Sequence, residues 1–136
     1  MADIRKVTDD FSVAPQITPQ EAAAAAGQGF KLLINNRPDG EIAGQPLSAD
    51  IEAAACGAGA DYVHIPFIGR PSPQEAAAVL AAADAAKGPV LAFCRSGTRS
   101  ITAWAMGQAL AGRQSREDLI ALGAGAGYDL SAVLGG

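Results

Sequence analysis

A short apolar run that leads directly into a cysteine and a small polar loop constrains this chain more than any other feature. The run Val90 to Phe93 has the character of a buried strand, Cys94 opens the loop, and helical periodicity resumes from Ser100 to Leu110. The cysteine is therefore predicted to lie above a helix N-terminus, where unpaired N–H groups and the helix dipole favour a thiolate. This order of strand, cysteine and helix indicates a site for a sulfur nucleophile.

The residue types of the loop suit the binding of an anion. Gly97 allows a turn that points successive backbone N–H groups inward, and Arg99 can hold an anion in a bidentate fork. Cys94 and Arg99 are the predicted catalytic residues, and the predicted anion-binding residues of the loop are Arg95, Ser96, Gly97, Thr98 and Ser100. The alternative is a packed cysteine in an ordinary strand-to-helix turn. Two arginines close to the sulfur argue against that alternative.

Strands and helices alternate along the rest of the chain. Further strands are predicted at residues 11–14, 30–35 and 61–65, and helix starts are predicted at the capping residues Thr18, Ser48, Ser72 and Ser115. We therefore expect an α/β fold, a three-layer sandwich in which a small parallel sheet of four or five strands is flanked by helices. Residues 1–9 are predicted to be a flexible N-terminus, and residues 10–136 a single domain.

Four side chains outside the cysteine loop are predicted to lie near it. Right-handed crossovers gather the loops after residues 35, 65 and 93 at one edge of the sheet, which brings in Arg37, Asp39, His64 and Arg70. Each has a structural alternative. Arg37 and Asp39 suit the turn that contains them, His64 suits a hydrogen-bonded core position, and Arg70 suits a solvated charge.

Composition and charge exclude several functions. The net charge of −4 leaves no basic face for nucleic acid, and no apolar run approaches the roughly twenty residues of a membrane span. One histidine and two distant cysteines do not form a metal-ligand set, so neither a metal nor another cofactor is predicted. Two cysteines and no recognisable signal sequence favour free thiols in a reducing cytoplasm. Cys56 is predicted to be a packing residue, and a disulfide between Cys56 and Cys94 stays open as an alternative.

The loop resembles the active loops of two enzyme families. The stretch from Cys94 to Ser100 is similar to the Cys-Arg-Ser-Gly-x-Arg-Ser loop of rhodanese sulfurtransferases, which carry a transferable sulfur as a persulfide on the cysteine. It also resembles the Cys-x5-Arg loop of cysteine-dependent phosphatases. Here the spacing is one residue shorter, and Phe93 occupies the position of the histidine that precedes the cysteine in those phosphatases. These two departures favour sulfur over phosphate.

Over most of its length the chain resembles the phosphatase-like domain of beta-lactamase hydrolase-like proteins, a bacterial family also described as proposed sulfurtransferases. The matching stretches are residues 15–19, 34–41, 62–66, 94–100 and 127–130. The resemblance implies a fold like that of the dual-specificity phosphatases. It also implies an association with sulfur chemistry, because members of the family occur fused to sulfide-oxidising or persulfide-processing domains.

Phosphatases of that fold usually carry a general-acid aspartate in a segment that corresponds to Ile65 to Pro71, which here has no aspartate or glutamate. Without a proton donor, phosphoester cleavage is slower by on the order of a hundredfold, whereas persulfide and thiosulfate already contain good leaving groups. Asp39 is the predicted substitute acid if its loop folds over the site.

The leading hypothesis is a cysteine-dependent sulfurtransferase that moves a sulfane sulfur through a persulfide on Cys94. It takes the sulfur from a small sulfur-containing anion and passes it to an acceptor thiol, while the N–H groups of residues 95–99 stabilise the persulfide and Arg99 binds the departing anion. The alternative is a phosphatase that forms a cysteinyl-phosphate from a phosphate-bearing anion, with Asp39 as its acid. A second alternative is a non-catalytic module that senses an anion or a persulfide. The sequence predicts no oligomeric state.

Overall fold

The computed structural model describes residues 2–134, which form one five-stranded sheet with helices on both faces. The strands are β1 (Arg5–Lys6), β2 (Phe11–Ala14), β3 (Leu32–Asn35), β4 (Asp61–His64) and β5 (Val90–Phe93). The helices are α1 (Pro19–Gly27), α2 (Ser48–Gly57), α3 (Pro73–Ala85), α4 (Thr98–Leu110), α5 (Arg116–Gly125) and α6 (Ser131–Leu134).

The order of the strands places the cysteine loop at the centre of one sheet edge. The order is β1-β2-β5-β3-β4, so β5 lies between β2 and β3. In the parallel register Phe93 pairs with Ala14 on one side and with Asn35 on the other, and Asn35 also pairs with His64. Four strands therefore end at the same edge, and the α/β architecture predicted from the alternating strands and helices is confirmed.

The sheet is mixed, whereas the sequence predicted a parallel sheet. β1 pairs with β2 in the antiparallel sense, Arg5 opposite Val13 and Lys6 opposite Ser12. The intervening turn is closed by the N–H groups of Val7 and Thr8, which both donate to the Phe11 carbonyl oxygen. β1 lies within the nine residues expected to be flexible. Two residues are too short a strand to show an alternating pattern, so this pairing had no sequence signal.

Alternating residues of the central strands build two separate hydrophobic clusters, one on each face of the sheet. Leu91 and Phe93 contribute to the cluster covered by α1 and α2. Val90 and Ala92 contribute to the cluster covered by α3, α4 and α5, which includes Trp104. The three layers predicted from the sequence are present, and β5, the strand that leads into the cysteine loop, contributes to both clusters.

Local sequence signals account for three of the four helix starts that were predicted from a capping residue. Thr18 and Ser72 each form a complete capping box, and Ser115 caps α5. Ser48 was predicted to cap α2, but Leu47 occupies the N-cap position without a side-chain hydrogen bond. The backbone N–H of Ser48 donates instead to Asp39 Oδ1 at 2.8 Å, so a carboxylate nine residues upstream satisfies this helix end.

Candidate active site

The structure places Cys94 directly after β5 and at the N-terminal end of α4. Cys94 is fully buried, and the N–H of Gly97 donates to its Sγ at 3.1 Å. Gly97 is the N-cap residue of α4 and has a φ of 91°, a left-handed conformation that side chains with a Cβ rarely adopt. The sulfur therefore has a backbone donor and the positive end of a helix dipole beside it, and both stabilise negative charge.

Other parts of the chain hold the cysteine loop in this conformation. The half-buried Tyr128 donates its hydroxyl hydrogen to the Ser96 carbonyl oxygen at 2.8 Å, and the N–H of Gln16 donates to the Arg95 carbonyl oxygen at 3.3 Å. The Tyr128 hydroxyl lies so close to Gly97 that an added Cβ would collide with it. The loop is consequently fixed both by its own turn and by a side chain from the segment after α5.

The hydroxyl groups of the loop are engaged with protein atoms other than the sulfur. Ser96 Oγ donates to Thr98 Oγ1 at 3.0 Å. Ser100 is fully buried, and its Oγ donates to Asn36 Oδ1 at 2.8 Å. Asn36 in turn donates from Nδ2 to the Ile65 carbonyl oxygen at 3.0 Å, so Ser100 ties α4 to the ends of β3 and β4. The sequence predicts anion binding for these three residues, and the hydrogen bonds of Ser100 show that it also has a structural role.

Arg99 forms a bidentate ion pair with Glu41, a residue that the sequence analysis did not select. Arg99 Nη1 lies 2.9 Å from Glu41 Oε2, and Arg99 Nη2 lies 2.7 Å from Glu41 Oε1. Arg99 Nη1 also donates to the Phe67 carbonyl oxygen at 3.0 Å. Glu41 stands in one of the stretches that carry the family resemblance, but no local periodicity or spacing distinguishes it from any other loop carboxylate.

The charges around Glu41 strongly favour its ionised form. The hydrogen bonds from Arg99, and secondarily those from Arg37, lower the pKa of Glu41 from 4.5 to about 2. The same contact with Glu41 raises the pKa of Arg99, and the neighbouring Cys94 sulfur adds to this effect. Glu41 is therefore a carboxylate, not a carboxylic acid, at neutral pH in this arrangement.

Arg37 is the buried second partner of Glu41. Its side chain is 2% exposed, and its Nε donates to Glu41 Oε1 at 2.7 Å. Its Nη1 donates to Gln16 Oε1 at 3.1 Å, whereas its Nη2 is buried without a hydrogen-bond partner in the described part of the chain. Arg37 therefore does more than shape its own turn, since it links β3 to the residue that holds Arg99.

His64 and Asp39 make contacts that differ from the predicted site roles. The Nε2–H of His64 donates to the Arg37 carbonyl oxygen at 2.8 Å and supports the backbone at the end of β3. The Asp39 carboxylate lies at the N-terminus of α2 through its bond to Ser48. None of the hydrogen bonds of Asp39 within residues 2–134 reaches the cysteine loop, and its role as the substitute acid stays a prediction.

Arg70 and Arg95 are both exposed at the same edge. Arg70 Nη2 donates to the Val133 carbonyl oxygen at 3.2 Å, and Arg70 helps to line a cavity of about 470 Å³ together with Thr98 and Arg99. The Arg95 guanidinium has no hydrogen bond or ion pair to any other described residue, while its backbone carbonyl anchors the loop. Arg70 thus lies beside Arg99, whereas Arg95 presents a free charge to solvent.

The two cysteines have opposite exposure. Cys56 lies exposed on α2, and Cys94 is buried, and both are free thiols. The prediction that Cys56 is a packing residue is wrong, because its position on α2 faces solvent instead of the neighbouring helix. The disulfide that the sequence left open is not formed.

Within residues 2–134 no group of three or more histidine, cysteine, aspartate or glutamate side chains is arranged to hold a metal ion. The helices of the described region are all too short or too polar to span a membrane.

A sheet with a cysteine loop between its central strand and the N-terminus of a helix, and an arginine in the first helical turn, defines the class of cysteine-dependent phosphatase-like domains. Residues 3–111 match the family model described as the phosphatase-like domain of beta-lactamase hydrolase-like proteins. The chain belongs to this family, as its matching stretches indicated.

Individual relatives agree with the family and the fold. A beta-lactamase hydrolase-like protein of Agrobacterium fabrum is 40% identical over 130 residues, covering 94% of this chain and 30% of that protein. The chain thus spans about a third of the length of this curated relative. The crystal structure of a candidate phosphatase from Neisseria meningitidis has a TM-score of 0.85 and 30% identity, covering 97% of this chain and 94% of that one. P. aeruginosa TpbA shares the fold, with a TM-score of 0.67 and 17% identity over 93% of this chain and 75% of that one.

Proposed function

We propose that this domain is a cysteine-dependent phosphatase that acts on a phosphate-bearing anion through a cysteinyl-phosphate on Cys94. The observation that carries the proposal is the Gly97 N–H on the Cys94 sulfur at 3.1 Å, with Arg99 in the first turn of the helix that follows. Membership of a phosphatase-like family supports it. P. aeruginosa TpbA, which shares the fold, was solved in complex with phosphotyrosine, a phosphate monoester.

The chemistry proceeds in two displacements at phosphorus. The Cys94 thiolate forms a sulfur–phosphorus bond while the bond from phosphorus to the ester oxygen breaks, and the released oxygen takes a proton from solvent. Water then attacks the phosphorus and loses a proton to solvent, the sulfur–phosphorus bond breaks, inorganic phosphate is released and the Cys94 thiolate is restored. Arg99 and the inward N–H groups of the loop neutralise charge on the non-bridging oxygens in both steps. A reducing compartment suits this reaction, since only the free thiolate can attack.

The nature of the leaving group follows from the carboxylates around the site. Glu41 is ionised, Asp39 is bound at the end of α2, and residues 65–71 contain no acidic side chain. None of these carboxylate positions therefore offers a proton to the leaving oxygen in the part of the chain that the structure describes. Esters of acidic alcohols, such as aryl phosphates, need this proton least. We accordingly propose aryl phosphates as better substrates than alkyl phosphates.

Sulfur transfer is the second candidate, and the short spacing between Cys94 and Arg99 favours it. In that reaction the Cys94 thiolate attacks the outer sulfur of a donor such as thiosulfate, the sulfur–sulfur bond breaks, and sulfite leaves. The persulfide on Cys94 then yields its outer sulfur to an acceptor thiolate or to cyanide. Neither step needs a proton donor, which agrees with the ionised state of Glu41.

The purified domain should be assayed in parallel with an aryl phosphate, an alkyl phosphate, and thiosulfate plus cyanide, with Cys94→Ser as the control for contaminating activity. We expect phosphate release from the aryl phosphate to exceed both other reactions, and to disappear in the Cys94→Ser protein. Thiocyanate formation that exceeds phosphate release would favour the sulfurtransferase. If no substrate is turned over but inorganic phosphate or a persulfide binds tightly, the domain is a sensing module.

A further inference from the structure

The hydrogen bonds that Arg99 makes to Glu41 and Phe67 leave two of its five N–H donors for other partners. A guanidinium has five N–H donors in a planar fork. Both Nη1 donors are used, one by Glu41 Oε2 and one by the Phe67 carbonyl oxygen, and one Nη2 donor is used by Glu41 Oε1. The Nε–H and the second Nη2–H are not used by Glu41 or Phe67, and the Cys94 sulfur lies within interaction distance of the guanidinium. These two N–H groups point in the same direction along the side edge of the group.

A pair of parallel N–H donors is the arrangement that binds two oxygens of a carboxylate or phosphate. Cys94 lies close enough to Arg99 to help raise the pKa of the guanidinium. The Cys94 sulfur also accepts a hydrogen bond from the Gly97 N–H of the same loop. The Nη1–Nη2 edge of Arg99 is therefore fixed to Glu41, and its Nε–Nη2 edge can bind an oxyanion above the sulfur.

Glu41 is itself held from the buried side of the site. Its Oε1 accepts from Arg37 Nε as well as from Arg99 Nη2, both at 2.7 Å. Its backbone N–H donates to Gln45 Oε1 at 3.0 Å, and Gln45 Nε2 donates to the Pro38 carbonyl oxygen at 2.9 Å. Because Arg37 is 2% exposed, the carboxylate is anchored to the interior and not to a mobile surface cation.

We propose that Glu41 is a positioning residue, which fixes the Arg99 guanidinium so that its Nε–Nη2 edge faces a tetrahedral oxyanion bound over Cys94. Two cations share one carboxylate here, so the cluster keeps a net positive charge for that anion. The inference rests on the proposed function only in taking an oxyanion as the ligand of the loop. In this role Glu41 aligns Arg99 and transfers no proton.

Glu41→Gln tests this role with almost no change in shape. The amide keeps one oxygen acceptor but turns an NH₂ group toward the guanidinium, so the bidentate pair is lost. We expect the dissociation constant of inorganic phosphate, measured by calorimetry, to rise about tenfold or more, since a charge-assisted contact of this kind controls orientation. With an aryl phosphate, KM should rise and kcat should fall together. Glu52→Gln, an exposed charge change on α2 with no such contact, is the matched control and should alter neither.

A second measurement separates positioning from a general effect on the fold. In the wild-type protein the Arg99 Nη protons should give separate NMR signals because rotation of the group is hindered, and in Glu41→Gln these signals should merge. Arg99→Lys identifies the signals. Glu41→Asp keeps the charge but shortens the side chain, so it should also weaken phosphate binding if alignment is what matters. Should Glu41→Gln fail to fold, Glu41→Asp carries the test.

Several outcomes would overturn the proposal. Tighter phosphate binding by Glu41→Gln would mean that the carboxylate competes with the anion for Arg99, and unchanged binding would mean that it has no role in alignment. A wild-type protein that binds no phosphate at millimolar concentration would also overturn it. If the wild type binds phosphate but turns over no substrate, the proposed hydrolysis fails while the effect of Glu41 on binding and on the NMR signals still stands.

Discussion

Gly97 is the residue on which the geometry of the cysteine loop depends most directly. It donates the hydrogen bond to Cys94 Sγ, it adopts a left-handed backbone conformation, and the hydroxyl of Tyr128 fills the space that a side chain would need. The sequence predicted the turn but not the tyrosine, which comes from a segment more than thirty residues away. The requirement for glycine is therefore both conformational and steric.

Gly97→Ala should destabilise the domain and impair the site together. The strained backbone and the collision with Tyr128 are expected to cost roughly 1–3 kcal/mol in the free energy of unfolding, measured by urea denaturation. Turnover of the aryl phosphate should fall at least about tenfold, because the N–H donor on the sulfur moves. Gly57→Ala is the control, since Gly57 ends α2 without a positive φ and with no atom within 4 Å of the added Cβ. A Gly97→Ala protein that equals this control would contradict the account.

At the scale of the element, α2 shows how far a local pattern can be trusted. The sequence around Ser48 resembles an ordinary capped helix start, yet the acceptor at that end is the Asp39 carboxylate from the preceding loop. The caps at Thr18 and Ser72 were predicted correctly because each hydrogen-bonds to a residue only three positions further along the chain. Asp39 requires the whole loop 37–47 to close on α2, which local sequence does not encode.

Asp39→Ala separates the capping role from the predicted acid role. As a cap, the carboxylate stabilises the helix N-terminus, so its removal should lower the free energy of unfolding by about 0.5–2 kcal/mol while kcat stays within a few-fold of wild type. If Asp39 were the general acid, kcat with an alkyl phosphate would fall on the order of a hundredfold at nearly constant stability. Asp50→Ala, in the first turn of the same helix, controls for the charge alone.

Across the whole molecule, the cluster of Arg37, Glu41 and Arg99 joins parts of the chain that are distant in sequence. It connects the end of β3, the loop before α2 and the first turn of α4, and Arg99 adds the Phe67 carbonyl oxygen after β4. The edge at which these loops meet was predicted from topology rules, whereas the strand order comes from the structure. Which carboxylate pairs with which arginine depends on loop conformations and had no sequence signal.

Acid should weaken this connection over a defined pH range. The pKa of Glu41 is about 2 in the folded protein, below its ordinary value of 4.5, so the unfolded chain binds the proton first as the pH falls. The stabilisation by Glu41 is therefore complete above about pH 5 and is lost as the pH falls toward 2. Urea denaturation of wild type and Glu41→Gln across this range should show a difference in unfolding free energy that shrinks with acidification. A difference in unfolding free energy between the two proteins that does not change with pH would contradict the ionised state assigned to Glu41.

The contrasting exposure of the two free thiols gives the molecule an internal reference for chemical labelling. Cys56 on the surface of α2 is open to a bulky maleimide, whereas Cys94 is buried in the cysteine loop. Alkylation of Cys94 by a bulky maleimide requires the loop or the side chains that cover it to open. The alkylation rate of Cys94, compared with that of Cys56 in the same sample, therefore measures how often this opening occurs. The burial of Cys94 can thus be followed by mass spectrometry as a slower labelling rate than that of Cys56.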